Sequence, residues 1–296
     1  MQQSADVGRH VIVIVIVIVI KMKHAIAVDA HHSSNAYNET PSAEPFNVDP
    51  DLLRVLSKNQ EIIKRSAPRF TLSGGGRKRK EEEEDDSLLS IIGHTRLERL
   101  GRLPESERLY FTEFSRIVRL KYSDSCLYLS RRLNFPSEPD LPLHHQRPAY
   151  FVASDLLTDR TDYRVIRNEW PYAIPRDYQH MVVWSKLPLL DPSQARTPSE
   201  LDDARQVGLS GFENLTPEFV DQLDWAGVNA DQRFKPFDPD LANDPHPPGL
   251  DAHIRAFIRA RWPRDQGFVN LMWFLNPTHL QSCPQLPHFH VFVKKI

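Results

Sequence analysis

The segment that most limits what this chain can fold into is residues 288–293, close to its end. The segment alternates with a period of two, with His288, His290 and Phe292 in one set and Phe289, Val291 and Val293 in the other. Because successive side chains of a strand point to opposite faces, the two imidazoles share one face, roughly 7 Å apart along the strand. The alternation therefore predicts a strand with neighbouring histidines on one side and an apolar surface on the other.

A second apolar run lies shortly before this strand. Residues 268–275 are aliphatic and aromatic, and they are followed by Asn276-Pro277, a pair that is typical of a strand end. We expect the two strands to form an antiparallel hairpin that carries the histidines at one edge of a pocket.

Two more strands are predicted in the middle of the chain. They cover residues 163–166 and 180–184, and the prolines of the intervening segment 168–175 restrict it to a turn. His180 stands at the start of the second strand. A purely structural role for this residue would be pairing with Asp177 or with a backbone carbonyl.

The remaining periodic segments predict helices. The amphipathic segments are 87–100, one that begins at Pro104, one that Ser123 or Asp124 caps and that runs to Leu133, and 251–262. An earlier helix begins at the Asp49-Pro50 pair. Their apolar and aromatic stripes are of the kind that usually faces a core. The predicted fold class is therefore α+β, an antiparallel sheet packed against a helical layer.

Composition divides the chain into one domain with additions. Residues 1–46 are of low complexity and predict disorder, and residues 47–296 predict a single α+β domain. A charged linker at 73–86 and a proline-rich insertion at 188–248 interrupt that domain, and only a short helix after Thr216 is expected in the insertion. A loop of this length is commonly a lid or an insertion.

The Val-Ile repeat at 11–20 permits two interpretations. It is about half of what a membrane span needs. One interpretation is a secretory signal, because Arg9 precedes the repeat and Ala25-Ile-Ala27 resembles a cleavage site. The other is a low-complexity repeat translated from a dinucleotide tract, with the start of the protein at Met22.

Charge and cysteine content exclude several functional classes. The formal net charge is -2, so no global charge favours nucleic acid or an anionic membrane. The basic run 77–80 is a nuclear signal, a nucleic-acid contact or, because acids follow it directly, a solvated linker. Cys126 and Cys283 are too few for a disulfide scaffold or a cysteine zinc site, and we expect a reducing, cytoplasmic location. No cofactor is predicted.

Several motifs resemble one family. They are Leu97-Glu-Arg-Leu-Gly-Arg-Leu-Pro104, Asn168-Glu-Trp-Pro-Tyr172, His180-Met-Val-Val-Trp-Ser-Lys186, Leu280-Gln-Ser-Cys283 and Pro287-His-Phe-His-Val291. Together with the Tyr110 helix, they are similar to the fungal N-acetylglucosamine-induced protein 1 family over roughly residues 88–293. The resemblance implies a fungal, cytosolic protein linked to an amino-sugar response, and it implies no established activity.

A more distant resemblance concerns mechanism. Enzymes of the histidine-triad superfamily, including the galactose-1-phosphate uridylyltransferase branch, have an Asn-x-aromatic-Pro turn, a strand beginning with His and a later His-x-His strand. The resemblance implies a histidine-triad-like sheet with His290 as nucleophile on an α-phosphate. His288 would orient His290 or bind phosphate, and His180 would bind phosphate or protonate the leaving group. Phe292 stands at the third triad position, which is His or Gln in those enzymes.

Three functions follow from these residues. The first is a nucleotide or nucleotide-sugar hydrolase or transferase. The second is a non-catalytic protein that binds a nucleotide or a sugar phosphate, which Phe292 favours. The third is zinc binding by His180, His288 and His290. The residues expected to bind the ligand are Asn168, Trp170, Tyr172, Lys186, Asn276, Gln281 and Ser282. The predicted partner is a small molecule rather than nucleic acid or a membrane, and the oligomeric state stays open.

Overall fold

The central strand of the sheet is the histidine strand predicted from the sequence. The structure of the protein is a computed structural model, and it describes residues 48–73, 86–135, 149–153, 162–228 and 249–296. Within these residues five antiparallel strands form one sheet in the order β1-β2-β5-β4-β3. The strands are β1 Tyr163–Arg167, β2 Gln179–Ser185, β3 Leu209–Glu213, β4 Leu271–Leu275 and β5 His288–Val293.

Helices cover both faces of this sheet. They are α1 Pro50–Arg65, α2 Leu88–Gly93, α3 Pro104–Leu109, α4 Ser115–Tyr122, α5 Ser125–Leu133, α6 Glu200–Val207, α7 Pro217–Trp225 and α8 Ala252–Arg261. A π-helical turn, Tyr110–Phe114, joins α3 directly to α4. The fold is therefore α+β with an antiparallel sheet, as the sequence predicts.

Capping residues explain where two of the predicted helices begin. The Asp49 carboxylate accepts a hydrogen bond from the backbone N–H of Asp51, and Pro50 occupies the first helical position of α1. Asp124 caps α5 in the same way through the N–H of Leu127. These local hydrogen bonds confirm both predicted helix starts.

One face of the sheet is mainly apolar and packs on α8, and Glu213 at its edge pairs with Arg255 and Arg259 of that helix. The inward residues of β5 on this face, Phe289, Val291 and Val293, are buried in one cluster with the α8 side chains. The rings of Phe257 and Phe289 lie 6.0 Å apart, nearly perpendicular to each other. The predicted alternation of β5 and the inward face of α8 are therefore confirmed.

The opposite face of the sheet is shared between an apolar part and the histidines. Helices α2 and α7 cover its apolar part, which includes Phe274 and Phe292. A separate cluster formed by α1 and the α3 to α5 region surrounds Trp170. Because these two clusters lie on the same face, the histidines of β5 lie close to both of them.

The segment 188–228 is more regular than the sequence predicts. It contains α6 and the edge strand β3 as well as the expected helix after Thr216. The sequence of β3, Leu-Ser-Gly-Phe-Glu, gives little alternation. Gly211 is required because a Cβ atom at this position would lie 2.7 Å from the ring of Trp273 on β4. The packing that forms this strand is therefore invisible in its own sequence.

The helix predicted at 87–100 is also shorter than expected. Helix α2 ends at Gly93, and the chain continues through Thr95, whose φ is 56°, into a 3-10 turn at Leu97–Arg99. A non-glycine residue in this left-handed region ends an α-helix.

Several predicted features lie outside the described residues. They are the N-terminal segment with its Val-Ile repeat, the charged run 77–80 and residues 229–248.

The two cysteines form a disulfide, which corrects the sequence interpretation. Cys126 lies on α5 and Cys283 lies between β4 and β5, with a Cα–Cα distance of 5.4 Å and a sequence separation of 157 residues. Their separation in the sequence gave no indication that the fold brings them together.

No helix within the described part of the chain combines the length and the apolar composition that crossing a membrane requires.

The contact between α8 and the sheet is expected to contribute strongly to stability. Phe257 is fully buried, so the substitution Phe257→Ala should lower the free energy of unfolding by about 3–5 kcal/mol. Leu120 is 73% exposed, and Leu120→Ala should change it by about 0.5 kcal/mol or less. Denaturant unfolding of both variants checks the prediction, and equal effects would contradict it.

The disulfide should stabilise the oxidised protein by about 2–4 kcal/mol, because it restricts the unfolded chain. Denaturant unfolding with and without a thiol reductant measures this difference. The matched control is the double variant Cys126→Ser and Cys283→Ser, whose stability should not respond to the reductant. Detection of two free thiols in the native protein, purified without reductant, would refute the pairing.

Candidate functional site

A cavity of about 390 Å³ lies between the histidine face of the sheet and the helices. Two of its wall residues, His288 and His290, come from β5. The π-helical turn and the turn between β1 and β2 supply much of the rest. The aromatic residues of the wall are Tyr110, Phe111, Phe114, Tyr128, Trp170, Tyr172 and Trp184. We refer to this space as the histidine cavity.

The turn between β1 and β2 is fixed by Asn168. Its side-chain oxygen accepts from the backbone N–H of Trp170 at 2.9 Å, which is a local turn that asparagine favours. The same amide then directs its nitrogen toward His180, 3.4 Å from Nε2. The turn therefore places Trp170 and Tyr172 in the cavity wall and His180 beneath them.

His180 and His290 form a hydrogen-bonded pair. His180 Nε2 lies 2.9 Å from His290 Nδ1, and the backbone N–H of Tyr172 donates to His180 Nδ1 at 3.2 Å. Because a backbone N–H can only donate, Nδ1 of His180 carries no proton and its Nε2–H donates to His290. The hydrogen-bond network thus assigns the proton of neutral His290 to Nε2.

Two side-chain amides compete with this assignment. The Asn168 nitrogen lies 3.4 Å from Nε2 of His180, but it also lies 3.5 Å from Nδ1, whose lone pair can accept from it. Asn276 supplies the second contact. Its amide nitrogen lies 3.4 Å from His290 Nε2, which would place two donors face to face. A side-chain amide can turn by 180° and present its oxygen, whereas the backbone N–H of Tyr172 cannot change its role. The backbone contact is also the shorter of the two, so the backbone decides the tautomer.

His288 has the opposite tautomer. Its Nδ1 lies 2.8 Å from the backbone oxygen of Leu286, and an oxygen of this kind only accepts, so Nδ1 carries the proton. Nε2 of His288 therefore carries a lone pair. The ring stacks on Trp184 with 4.2 Å between centroids, and it lies 5.4 Å from the ring of His290.

All three imidazoles are neutral at physiological pH. Burial lowers the pKa of His180 to about 3, and the positive charge of Arg102 contributes further. Burial also places the pKa of His290 well below its usual range, with smaller contributions from the nearby histidines and Arg102. The pKa of His288 is lowered by burial and partly restored by its bond to Leu286.

Arg102 is the basic residue of the cavity wall. Its Nε donates to the backbone oxygen of Trp170 at 3.2 Å, and its guanidinium lies 4.5 Å from the centre of the Tyr110 ring. Within the described residues it makes no salt bridge. The wall carboxylate of Glu169 is instead engaged by Arg132 at 3.3 Å and by the Tyr128 hydroxyl at 3.2 Å.

The structure places most predicted site residues in the cavity wall, with three exceptions. The wall contains Asn168, Trp170, Tyr172, Asn276, Ser282, His288 and His290. His180 lies behind His290 and contacts it without lining the cavity. Lys186 lies outside the wall, with its amine 5.5 Å from the Phe135 ring centre. Gln281 donates to the backbone oxygen of Asn276, so it supports the wall without forming it.

The sequence interpretation missed Arg102 and the aromatic residues of the π-helical turn. Arg102 belongs to the Leu-Gly-Arg-Leu-Pro motif, so a signal existed, but nothing in that motif indicates which cavity it reaches. Tyr110 and Phe114 form a helical stripe that predicts core packing. Part of that stripe lines the cavity because the π-helical turn shifts the register of the helix.

The geometry does not support the zinc alternative. Among the described residues, no three His, Cys, Asp or Glu side chains are grouped so that they could hold a metal ion. The nitrogens through which His180 and His290 face each other are joined by a hydrogen bond, so they do not converge on a common point. His180, His288 and His290 are therefore neighbours without forming a ligand set.

The fold and the site define an α+β protein whose central strand contributes two histidines to a partly open cavity. Residues 85–227 and 236–294 match the family described as protein of unknown function (DUF3605). Because the match covers more than half of the chain, the chain belongs to this family.

No curated protein matches the chain. A solved structure described as the crystal structure of HTC1 is similar to it, with 18% sequence identity and a TM-score of 0.36. That similarity covers 71% of this chain and 84% of the other. A similarity of this degree defines neither the fold nor the function of this protein.

The buried histidines should make the protein sensitive to acid. The pKa of His180 is about 3 in the folded state and about 6.5 when the chain unfolds, so between these values the unfolded state binds more protons. Stability is then complete above about pH 6.5 and decreases as the pH falls. At about pH 5 we expect the protonation of His180 in the unfolded chain to lower the free energy of unfolding by about 2 kcal/mol.

Denaturant unfolding near neutral pH and at about pH 5 measures this loss in the wild type and in two variants. His180→Gln should reduce the difference between the two pH values, whatever its effect on absolute stability. The control His279→Gln changes an exposed residue and should leave the difference unchanged. An unchanged difference in His180→Gln would show that His180 is not buried in its neutral form.

Proposed function

We propose that this chain is a non-catalytic protein that binds a small phosphorylated sugar or a nucleotide in the histidine cavity. The observation that carries the proposal is the combination of Arg102, which has no salt-bridge partner among the described residues, with neutral imidazoles in one aromatic-lined space. Such a space offers one site for an anionic group and several uncharged hydrogen bonds for a ring.

Arg102 supports the anionic part of the ligand. Its contact with Trp170 uses Nε and leaves the terminal nitrogens of the guanidinium for a partner. A guanidinium matches the oxygens of a phosphate with two parallel hydrogen bonds, which are stronger than bonds between neutral groups. The wall also contains two carboxylates. Arg132 neutralises Glu169, and Glu107 is exposed to solvent, which screens its charge.

The size and lining of the cavity support binding of the sugar or base ring of the ligand. A volume of about 390 Å³ falls within the usual range for small-molecule sites, about 300–1,000 Å³. Aromatic rings such as Tyr172 and Trp170 provide flat surfaces for a sugar or a base. Asn276, Ser282 and the two histidines of β5 provide uncharged polar groups, which orient a ligand without requiring a counter-charge.

Catalysis by His290 is less well supported by the geometry. An attacking imidazole needs a lone pair on the nitrogen that faces the substrate, and the network places a proton on Nε2 of His290. If the protons were exchanged so that Nε2 of His290 had the lone pair, Nδ1 of His180 would carry a proton. That proton would face the backbone N–H of Tyr172, which is also a donor. A buried donor left without an acceptor costs about 1–3 kcal/mol.

Phe292 also favours binding over catalysis. It lies opposite His180 in the register of β2 and β5, and it is fully buried. A phenyl ring at this position can neither donate a proton to a leaving group nor bind a phosphate oxygen. The histidine-triad resemblance gives His288 and His180 roles in phosphate binding and proton transfer. These roles remain predictions, because the third position of the triad has no polar side chain.

The biological setting of this function is part of the proposal. The resemblance to the N-acetylglucosamine-induced protein 1 family suggests an amino-sugar response in a fungus. A cytoplasmic location also remains a prediction, and the Cys126–Cys283 disulfide removes the cysteine argument for it.

Ligand-dependent thermal stabilisation tests the proposal. Nucleoside phosphates, nucleotide sugars and hexose phosphates should be screened for a rise in Tm, which a ligand that binds only the folded state produces. For any compound that stabilises the wild type, Arg102→Gln should weaken binding by about tenfold or more, which is about 1.4 kcal/mol. Chromatography of the same samples should show no product.

Arg116→Gln is the matched control, because it removes the same charge from an exposed position on α4. It should bind as the wild type does. Arg102→Lys keeps the charge but loses the planar fork, so intermediate affinity is expected. Absence of a Tm shift for the wild type across the panel would refute the binding function, and product formation would replace it with the enzymatic one.

A further inference from the structure

We propose that His288 and His290 together bind one hydroxyl group of the ligand's sugar ring, and that the phosphate lies away from them at Arg102. This inference rests on the proposed function and adds which part of the ligand enters between the histidines. A hydroxyl both donates and accepts, so it is matched by one donor and one acceptor placed side by side.

His290 supplies the donor. The chain of hydrogen bonds from the backbone N–H of Tyr172 through His180 leaves Nε2–H as the remaining polar group of the His290 ring. Its neighbour in the protein is the amide of Asn276 at 3.4 Å, close to the outer limit of a hydrogen bond. An oxygen of the ligand at normal hydrogen-bond distance would therefore satisfy this donor better than Asn276 does.

His288 supplies the acceptor. Its Nδ1–H is bound to the carbonyl of Leu286, so its lone pair is on Nε2. Stacking on Trp184 fixes the plane of the ring, and the centroids of the two imidazoles are 5.4 Å apart. Both rings line the same cavity, and their Nε2 atoms are unlike, because that of His290 donates and that of His288 accepts.

A phosphate group fits this pair poorly. Its oxygens are acceptors, so they would bond well to His290 but would meet the lone pair of His288. Both rings are buried and hold no charge that would attract an anion. Arg102 provides the charge and the donors that a phosphate needs, so the two ends of a sugar phosphate are matched by different parts of one wall.

The tautomers can be observed directly, without any ligand. Long-range proton–nitrogen NMR correlations on protein labelled with ¹⁵N-histidine distinguish a protonated from an unprotonated ring nitrogen, and the variants His288→Gln and His290→Gln assign the signals. At neutral pH we expect a protonated Nε2 in His290 and an unprotonated Nε2 in His288. Either nitrogen in the opposite state overturns the proposal.

The second part of the experiment adds glucose 6-phosphate, uridine monophosphate or inorganic phosphate to the labelled wild-type protein. Glucose 6-phosphate or uridine monophosphate should shift the signals of both histidines, and inorganic phosphate should not. His288→Gln and His290→Gln should each lower the affinity for the sugar compound that binds the wild type by about tenfold. Both variants should leave the affinity for inorganic phosphate unchanged.

The remaining outcomes are separable. Inorganic phosphate that shifts both histidines as strongly as the sugar compounds do would place the phosphate between the imidazoles. That result overturns the hydroxyl site and leaves the binding function intact. Shifts at neither histidine, together with Tm stabilisation by a sugar compound, would also overturn the hydroxyl site alone. No binding of any compound removes both proposals.

Discussion

The alternation of side chains along β5 is the constraint on which the rest of the structure depends. This strand is central in the sheet, so both of its faces must be covered. Phe289 and its apolar neighbours face α8, which places His288 and His290 on the opposite side. A one-residue shift in register would bury the imidazoles in the apolar cluster. The burial of one face therefore fixes the position of the site on the other.

Because this arrangement buries the histidines of the site, they are neutral. A charged imidazolium at His180 would lose its hydration and lie close to Arg102, and both effects lower its pKa. The protein thus has uncharged hydrogen-bonding groups at neutral pH and a positive charge that none of the described carboxylates pairs with. A site of this kind selects ligands by the pattern of donors and acceptors, with charge recognised at one point.

Local sequence signals were sufficient for most secondary structure. Asp49-Pro50, the alternation of 288–293 and the apolar face of α8 each depend on neighbouring residues and a fixed period, so the sequence predicts them. The strand β3 was missed because it forms by packing Gly211 against Trp273, a contact between distant segments. The Cys126–Cys283 disulfide was missed for the same reason, since 157 residues separate the two thiols.

The sequence by itself determined that the fold is α+β, that His288 and His290 share a strand face, and that the Asn168 turn precedes a strand beginning with His180. Only the tertiary structure decided which nitrogen of each imidazole carries the proton and that Arg102 reaches the same cavity. Periodicity records which side of an element a residue occupies. Tautomers and charge neighbours depend on atoms brought together from separate segments, such as the backbone N–H of Tyr172 and the carbonyl of Leu286.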